Sequence, residues 1–392
     1  MPQYDYLIVG GGMTADYAVR GIRSIDPSGA IGIISDDQHP PYKRPPLSKA
    51  LWKGEPLESI WLDAAKASAH VHTSHSARTI DVQGKKVVDG QGVTYGYSKL
   101  LLATGGRVRT LPFDVEGIIY FRTLNDYERL LSLTKEKENF VVIGGGFTGS
   151  EIAAALAMNG KTVTMIFPDE AIGQRVYPPR LSRFLNSYFE SKGVRVLANR
   201  SVTGITRDAG IYRVRTSQGD DIAGDAVVAG VGIQPNVELA QAAGLTIGNG
   251  IRVNELLHTS HAEIFAAGDV AEFYSPVLGR SIRMEHEDNA KVMGEHAGRS
   301  MAGSIEPYRY LPYFYSDLFE LGYEAVGRLD SRLGLVEEWK EEFHEGVVYY
   351  IENARVVGVL LWNTWGQLDN ARTLIAEPGP FSAKTVKGRL PL

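Results

Sequence analysis

The sequence predicts an α/β fold with two parallel-sheet units of the doubly wound kind, followed by a third, mainly β region at the C-terminus. Three observations predict it. A strand–glycine turn–helix–strand pattern occurs twice, glycine is abundant at 43 of 392 residues, and from Tyr308 onward strand-like runs replace helical ones.

The first copy begins with the apolar run Tyr6–Val9, which ends in Gly10-Gly11-Gly12-Met13-Thr14-Ala15. A helical pattern over Asp16–Ile22 follows, then the apolar run Ile31–Ile34, closed by Asp36-Asp37. The second copy runs Phe140–Ile143, Gly144-Gly145-Gly146-Phe147-Thr148-Gly149, Ser150–Met158 and Thr162–Phe167, closed by Asp169-Glu170. The glycine-to-acid spacing is nearly the same, Gly10 to Asp36 and Gly144 to Asp169. Such a unit builds parallel strands joined by a right-handed crossover. Its first glycine permits the tight turn, its second lets the backbone approach a pyrophosphate, and its third position, Ala15 or Gly149, lets helix pack on strand. The helix N-terminus offers N–H groups to phosphate, and the terminal acid accepts from a ribose hydroxyl. Two copies in full context predict two bound dinucleotides.

The intervening stretch carries Pro40, Pro41, Pro45 and Pro46, which preset a turn rather than a central strand. Leu47–Trp52 reads as the start of a helix, and residues 70–102 read as a β-meander. Thr123-Leu124-Asn125-Asp126 has the form of a capping box ahead of Leu130, Leu131 and Leu133. Lys135-Glu136-Lys137-Glu138 reads as a solvated helix end. Val347–Ile351 and Val356–Trp362 read as hairpin partners, and the last residues show no clear pattern.

Composition narrows the chemistry. Cysteine is absent, so disulfides, thiolate metal sites, Cys-ligated clusters and redox dithiols are excluded. The net charge of −5 argues against a dedicated nucleic-acid binder. No apolar run approaches the ~18 residues of a membrane span, and the N-terminus enters a strand directly, so a soluble cytoplasmic protein is expected. His70, His72 and His75 form a His-x-His pattern that fits an exposed strand edge, and no metal site is expected.

Three further motifs carry a resemblance: Leu102-Ala103-Thr104-Gly105-Gly106, Gly230-Val231-Gly232-Ile233-Gln234-Pro235-Asn236, and Ile264-Phe265-Ala266-Ala267-Gly268-Asp269. With the two glycine turns they resemble the two-dinucleotide flavoprotein reductases. The resemblance implies two Rossmann-like dinucleotide-binding domains of glutathione-reductase type plus a C-terminal α+β, mainly β interface domain. The expected boundaries are 1–119 with 249–307 for FAD, 120–248 for NAD(P)H and 308–392 for the interface domain. Pro41-Tyr42-Lys43-Arg44-Pro45-Pro46-Leu47-Ser48-Lys49 resembles the branch of bacterial ferredoxin reductases and apoptosis-inducing factor. Gly322-Tyr323-Glu324-Ala325-Val326-Gly327 and Leu361-Trp362-Asn363 are similar to apoptosis-inducing factor, and Leu311-Pro312-Tyr313-Phe314-Tyr315-Ser316 also resembles monodehydroascorbate reductases. The disulfide members carry a cysteine pair just after the first unit; here that region reads Pro45-Pro46-Leu47-Ser48-Lys49.

The resemblance implies non-covalent FAD and NADH, with NADPH the less favoured coenzyme. It assigns Gly10, Gly12, Thr14 and Ala15 to the FAD pyrophosphate, Asp36 to its adenosine ribose and Asp269 to its ribityl chain. Arg44, Ala77, Thr104, Gly105 and Arg122 are expected as further FAD contacts. Lys49 and Glu151 are expected at the flavin ring as a catalytic pair, the carboxylate compensating a lysine that stabilises reduced flavin. Glu285 and His286 are the other catalytic candidates, and Tyr315, Glu324 and Asn363 are expected near the rings. Gly144, Gly145, Gly146, Thr148 and Gly149 are assigned to the nicotinamide dinucleotide, with Phe147 shielding the flavin and Gly232 lying close to nicotinamide. Asp169 is expected on the 2′-hydroxyl, whereas Arg175 is the group that accepts a 2′-phosphate. The implied partner is a ferredoxin or another one-electron acceptor, with Lys43, Arg280, Arg283 and Lys291 as candidate docking cations and a monomer or homodimer as the assembly. The alternatives are a redox-responsive protein like apoptosis-inducing factor, which forms a charge-transfer complex with NADH and changes oligomeric state, and a reductase of quinones or organic radicals.

Overall fold

Tyr6–Val9 and Ile31–Ile34 carry no polar alternation because both faces of their sheet are covered, as in a parallel sheet wrapped by helices. The computed structural model describes residues 1–64 and 67–392. They divide into two units: Met1–Arg44, Pro56–Arg107 and Gln234–Pro312 form unit 1, and Pro45–Glu55, Val108–Ile233 and Tyr313–Leu392 form unit 2.

In unit 1 the main sheet runs in the order Ala69–His72, Ile31–Ile34, Gln3–Val9, Thr94–Leu102, Lys86–Asp89, Ala77–Asp81, and Ile264–Ala266 also pairs with Thr94–Leu102. The register is flush: Val9 lies opposite Ile34 on one side and Leu102 on the other, and Leu102 lies opposite Ala266. The segments that follow these residues therefore leave the sheet at one edge. The helix Met13–Arg23 packs on the helix Glu287–Met301 through small residues; a Cβ at Gly298 would lie 2.0 Å from Ala18 O.

Unit 2 repeats the plan with a five-stranded parallel sheet ordered Val194–Leu197, Thr162–Ile166, Asn139–Ile143, Ala226–Ala229, Ile119–Tyr120. Again the ends are flush, Ile143 facing Ile166 and Ala229. The helix Phe147–Met158 is buried from Gly149 to Leu156 because it lies between this sheet and the strand Tyr313–Leu318. That strand belongs to a five-stranded sheet ordered Tyr313–Leu318, Leu321–Gly327, Arg355–Trp362, Glu345–Glu352, Gly334–Glu341.

The capping box at Thr123 forms, with Asp126 as its reciprocal partner, and starts the helix Leu124–Thr134. The hairpin between Glu345–Glu352 and Arg355–Trp362 turns through Asn353 and Ala354, both at positive φ. Three expectations are corrected. Leu47–Trp52 is not a helix start: two 3-10 turns, Pro45–Ser48 and Ala50–Lys53, flank a break at Lys49 (φ −132°, ψ −94°). The meander is shorter than expected, because Ala69–His72 leaves it to pair in parallel with Ile31–Ile34. The C-terminal residues do fold, into the helices Leu368–Ala376 and Ala383–Val386, whose buried faces are built from isolated apolar residues such as Leu374, Ile375 and Val386.

His70 and His72 lie on the outermost strand of this sheet and His75 just beyond it, and of the three only His70 is exposed. His72 Nε2 hydrogen-bonds Tyr4 Oη at 2.8 Å, and His75 Nδ1 lies 2.5 Å from the buried Asp89 carboxylate. Among the described residues, no helix is long and apolar enough to cross a membrane.

Burial pushes the Asp89 carboxyl up, but hydrogen bonds from His75, the Val93 and Gln91 N–H groups and Tyr95 outweigh it and hold it down at about 2, against 3.8 for an ordinary aspartate. Its stabilisation is therefore complete above about pH 4 and is lost as pH falls through about 2. We predict that Asp89→Asn is about 2 kcal/mol less stable at neutral pH. In urea titrations the gap to wild type should close between pH 4 and 2, and a gap independent of pH would refute this assignment.

Candidate functional site

In unit 1 the flush strand ends bring Gly10–Gly12, Ser35–Asp37, Ala103–Gly105 and Ala267–Asp269 to one edge, where ligands of open α/β sheets bind. Gly10 has φ +115°, and a Cβ there would sit 2.1 Å from Ala103 O, so only glycine fits. At Gly12 a Cβ would meet nothing within 4 Å. No side chain caps the helix N-terminus that begins there. The result is an open cradle of backbone N–H groups at the first turn, which fits a pyrophosphate, with the Ala15 N–H donating to Gly12 O at 3.1 Å to close that turn. Of the two acids closing the second strand, Asp37 is occupied by Tyr42 Oη (2.9 Å) and the His39 N–H (3.0 Å), whereas Asp36 is exposed.

Thr104 is locked in place: its Oγ1 donates to Asn236 O and its own carbonyl accepts from Asn236 Nδ2, both at 2.8 Å, beside Gly105. The carbonyl of Asp269 accepts from Arg283 Nη1 at 2.9 Å, and the same nitrogen pairs with Glu285 at 2.5 Å. His286 precedes the helix Glu287–Met301 as its N-cap residue. Arg283 is thus an internal brace with a side chain only 10% exposed, which corrects its expected place among docking cations. The Arg44 guanidinium lies over the Tyr42 ring at 5.5 Å. Ala77 opens an edge strand just after the His75 N–H, which donates to Ser35 O at 2.8 Å.

Unit 2 builds the same cradle. Gly144 has φ +124° and a Cβ there would lie 2.3 Å from Gly230 O, while a Cβ at Gly146 would meet nothing within 4 Å. The helix after it is again uncapped by any side chain, with Phe147, Thr148 and Gly149 in its first turn. The Gly173 N–H donates to Gly145 O at 2.9 Å and so ties the following loop to the glycine turn. That loop carries Arg175, 82% exposed, whose Nη2 lies 3.5 Å from Asp169 Oδ1. The Gly232 carbonyl accepts the Arg109 N–H at 2.9 Å. The Phe147 ring meets Phe314 edge-on at 5.7 Å. Tyr120 lies opposite Ala229, so Arg122 also follows a strand that ends at this edge, and its N–H donates to Asp126 at 3.1 Å just before the capping box.

The densest chemistry in unit 2 surrounds Lys49 and Glu151. Lys49 Nζ lies 2.7 Å from Glu151 Oε2, with side chains only 10% and 7% exposed. Ser48 Oγ donates to the same oxygen at 2.6 Å, and Ser316 Oγ donates to Oε1 at 2.6 Å. The Lys49 ammonium also sits 5.3 Å from the centroid of the Tyr315 ring. The 3-10 segment is pinned along the helix at two points, Ser48 to Glu151 and Asn159 Nδ2 to Trp52 O at 3.2 Å. Glu324 faces Tyr315 across the strand pair, and burial raises its carboxyl above the usual range. Asn363 does not present its amide to this cluster: Oδ1 accepts the Gly322 N–H at 2.7 Å and Nδ2 donates to His344 O at 2.8 Å.

Ser48 and Ser316 escaped the sequence reading as chemistry. Ser48 adjoins Lys49 and Ser316 lies within a family-like motif, but nothing local marks either as a donor to Glu151.

The family model for pyridine nucleotide-disulphide oxidoreductases matches residues 4–295, and the model for the C-terminal part of mitochondrion-associated apoptosis-inducing factor matches residues 334–377. The chain is 30% identical to a putative mitochondrial apoptosis-inducing factor 1 of Drosophila melanogaster over 94% of its own residues, but it spans only 63% of that protein. It is 34% identical to the ferredoxin--NAD(+) reductase component of the anthranilate 1,2-dioxygenase system of Burkholderia cepacia, covering 82% of this chain and 81% of that one. Among solved structures, the covalent putidaredoxin reductase–putidaredoxin complex matches with a TM-score of 0.90 at 30% identity, covering 97% of this chain and 94% of that one. Both glycine cradles lie inside the matched region, and the chain belongs to the pyridine nucleotide-disulphide oxidoreductase family as an NAD(P)H-dependent flavoprotein oxidoreductase.

Proposed function

We propose that the chain is a cytoplasmic, FAD-containing, NADH-dependent reductase whose acceptor is a separate one-electron carrier, a ferredoxin. The observation that carries this reading is the pair of matched open cradles, one per unit, each serving a strand that ends in a carboxylate. When bound, FAD would supply the redox chemistry, hydride acceptance from NADH and release of single electrons. The ferredoxin assignment is supported by likeness to the Burkholderia reductase component and to the putidaredoxin complex, and by a sequence without cysteine, which leaves no thiol to carry electrons onward.

In this reading Gly10, Gly12, Thr14 and Ala15 hold the FAD pyrophosphate, and Asp36 and Asp269 take its ribose and ribityl hydroxyls. Gly144–Gly149 hold the pyrophosphate of NADH, and Asp169 accepts from its 2′-hydroxyl, which disfavours a 2′-phosphate. Lys49 sets a positive charge at the flavin and Glu151 keeps that charge in place and compensated. Glu285 and His286 complete the group at the rings. The second reading, a redox-responsive protein like apoptosis-inducing factor, draws on the match over residues 334–377.

Three outcomes are expected. After reduction by NADH in a stopped-flow instrument, a [2Fe–2S] ferredoxin should reoxidise the flavin much faster than dissolved oxygen does. A persistent long-wavelength band with dimer formation in ultracentrifugation would favour the second reading. Lys49→Ala should slow flavin reduction by NADH on the order of 100-fold and lower the flavin potential; an unchanged reductive half-reaction removes Lys49 from the site. Asp169→Asn should raise the KM for NADH about tenfold with little change in kcat, and narrow the preference over NADPH. An unchanged ratio of kcat/KM for the two coenzymes refutes the role of Asp169.

A further inference from the structure

The loop between the strand Thr162–Ile166 and the helix Pro179–Ser191 carries both Asp169 and Arg175. The backbone N–H groups just after Asp169 are spent within the protein. Gln174 Oε1 accepts the Glu170 N–H at 2.6 Å and the Ala171 N–H at 3.3 Å. Two N–H donors on one atom identify it as the amide oxygen. From the helix, Asn186 Oδ1 accepts the Ile172 N–H at 3.0 Å, and Asn186 Nδ2 donates to Glu170 O at 3.0 Å. The Gly173 N–H goes to Gly145 O. The course of the loop does not rest on Gln174. Asp169 O accepts the Asn199 N–H at 2.9 Å, Arg175 O the Ser331 N–H at 3.1 Å and Val176 O the Tyr350 hydroxyl at 2.7 Å.

We propose that Gln174 is a specificity-determining residue for the coenzyme: by occupying the Glu170 and Ala171 N–H groups it denies them to a phosphate on the 2′-oxygen, and so reinforces the choice of NADH. This rests on the reading that unit 2 holds the coenzyme with Asp169 at its 2′-hydroxyl. Successive N–H groups of a turn form a concave donor set that binds anions. A phosphate gains most where such donors act together with a cation. The cation is present on this loop, since the 82% exposed Arg175 lies 3.5 Å from Asp169. The N–H groups that would complete the set are the ones Gln174 holds. A ribose hydroxyl asks only for the Asp169 carboxylate and is indifferent to them. Selection by blocking the competitor needs no contact with the favoured ligand.

Charge at the turn is close to balanced. Asp169 has Arg175 near it, and Glu170 has Arg183 at 3.6 Å. Both arginines are more than half exposed, so these pairs are weak and solvent-screened. A change at Gln174 to an uncharged residue leaves all four charges in place and isolates what the N–H groups contribute.

The test is the ratio of kcat/KM for NADPH to that for NADH in the FAD-loaded protein, with ferricyanide as electron acceptor, beside calorimetric titration of NADP+ and NAD+. Gln174→Ala should raise the ratio about tenfold, the gain lying in KM for NADPH rather than in kcat, and should tighten NADP+ binding by a similar factor. Gln174→Glu, whose carboxylate accepts the same N–H groups, should stay at or below the wild-type ratio. Asp169→Asn, measured in parallel, reports on the placement of the coenzyme. If Asp169→Asn moves the ratio while Gln174→Ala leaves it unchanged, or raises KM for both coenzymes together, Gln174 is only a loop brace and the inference is overturned, while the placement stands. If Gln174→Glu gains NADPH as Gln174→Ala does, occupancy of the N–H groups is not the cause and the inference is likewise overturned. If neither Asp169→Asn nor Gln174→Ala moves the ratio, the placement fails and the inference falls with it. Should Gln174→Ala not fold, Gln174→Leu, which keeps the stem and lacks the acceptor, takes its place.

Discussion

The ion pair of Lys49 and Glu151 is the constraint on which the candidate site depends. A carboxylate buried in an alanine-rich helix carries a large desolvation penalty, and it persists only when charge and hydrogen bonds together replace water. Here an ammonium and two hydroxyls do so, and the carboxylate also lies one turn from a helix N-terminus, where the backbone dipole favours negative charge. The same bonds hold the 3-10 segment against the helix, so the lysine needs no rigid element of its own. Its position is borrowed from the carboxylate it neutralises.

The two glycine cradles show one physical solution used twice with different trim. In each, the first glycine takes a positive φ because the neighbouring strand end leaves no room for a Cβ, and the later glycine faces open space. The differences lie at the acids. Asp36 is exposed and has a neighbour, Asp37, occupied with the turn, whereas Asp169 has Arg175 at 3.5 Å. The loop carrying Arg175 is tied to the glycine turn itself.

Much of this was legible in the sequence because it is written locally. Paired apolar runs, glycine turns and terminal acids specify the parallel units, Thr123 with Asp126 specifies a helix start, and alternation specifies the hairpin that ends at Trp362. What escaped was decided by partners remote in sequence. Leu47–Trp52 has helical spacing, but two prolines and the pull of Glu151 on Ser48 and Lys49 break it into 3-10 turns. The helix Leu368–Ala376 is short and gains its order from packing on the sheet. Both ends of the Asn363 amide hydrogen-bond backbone groups remote in sequence, the Gly322 N–H and the His344 carbonyl. The bonds from Ser316 to Glu151 and from Tyr177 to Tyr323 cross 165 and 146 positions, and no periodicity foretells them.

The carboxylate at the heart of unit 2 is served by hydroxyls, and the chain holds no sulfhydryl anywhere. Thiol-specific and mercurial reagents therefore have no native thiol target in it. A cysteine introduced at any surface position would be unique, so a spin label or fluorophore attached there reports from one site, on the wild-type background and without prior removal of competing thiols.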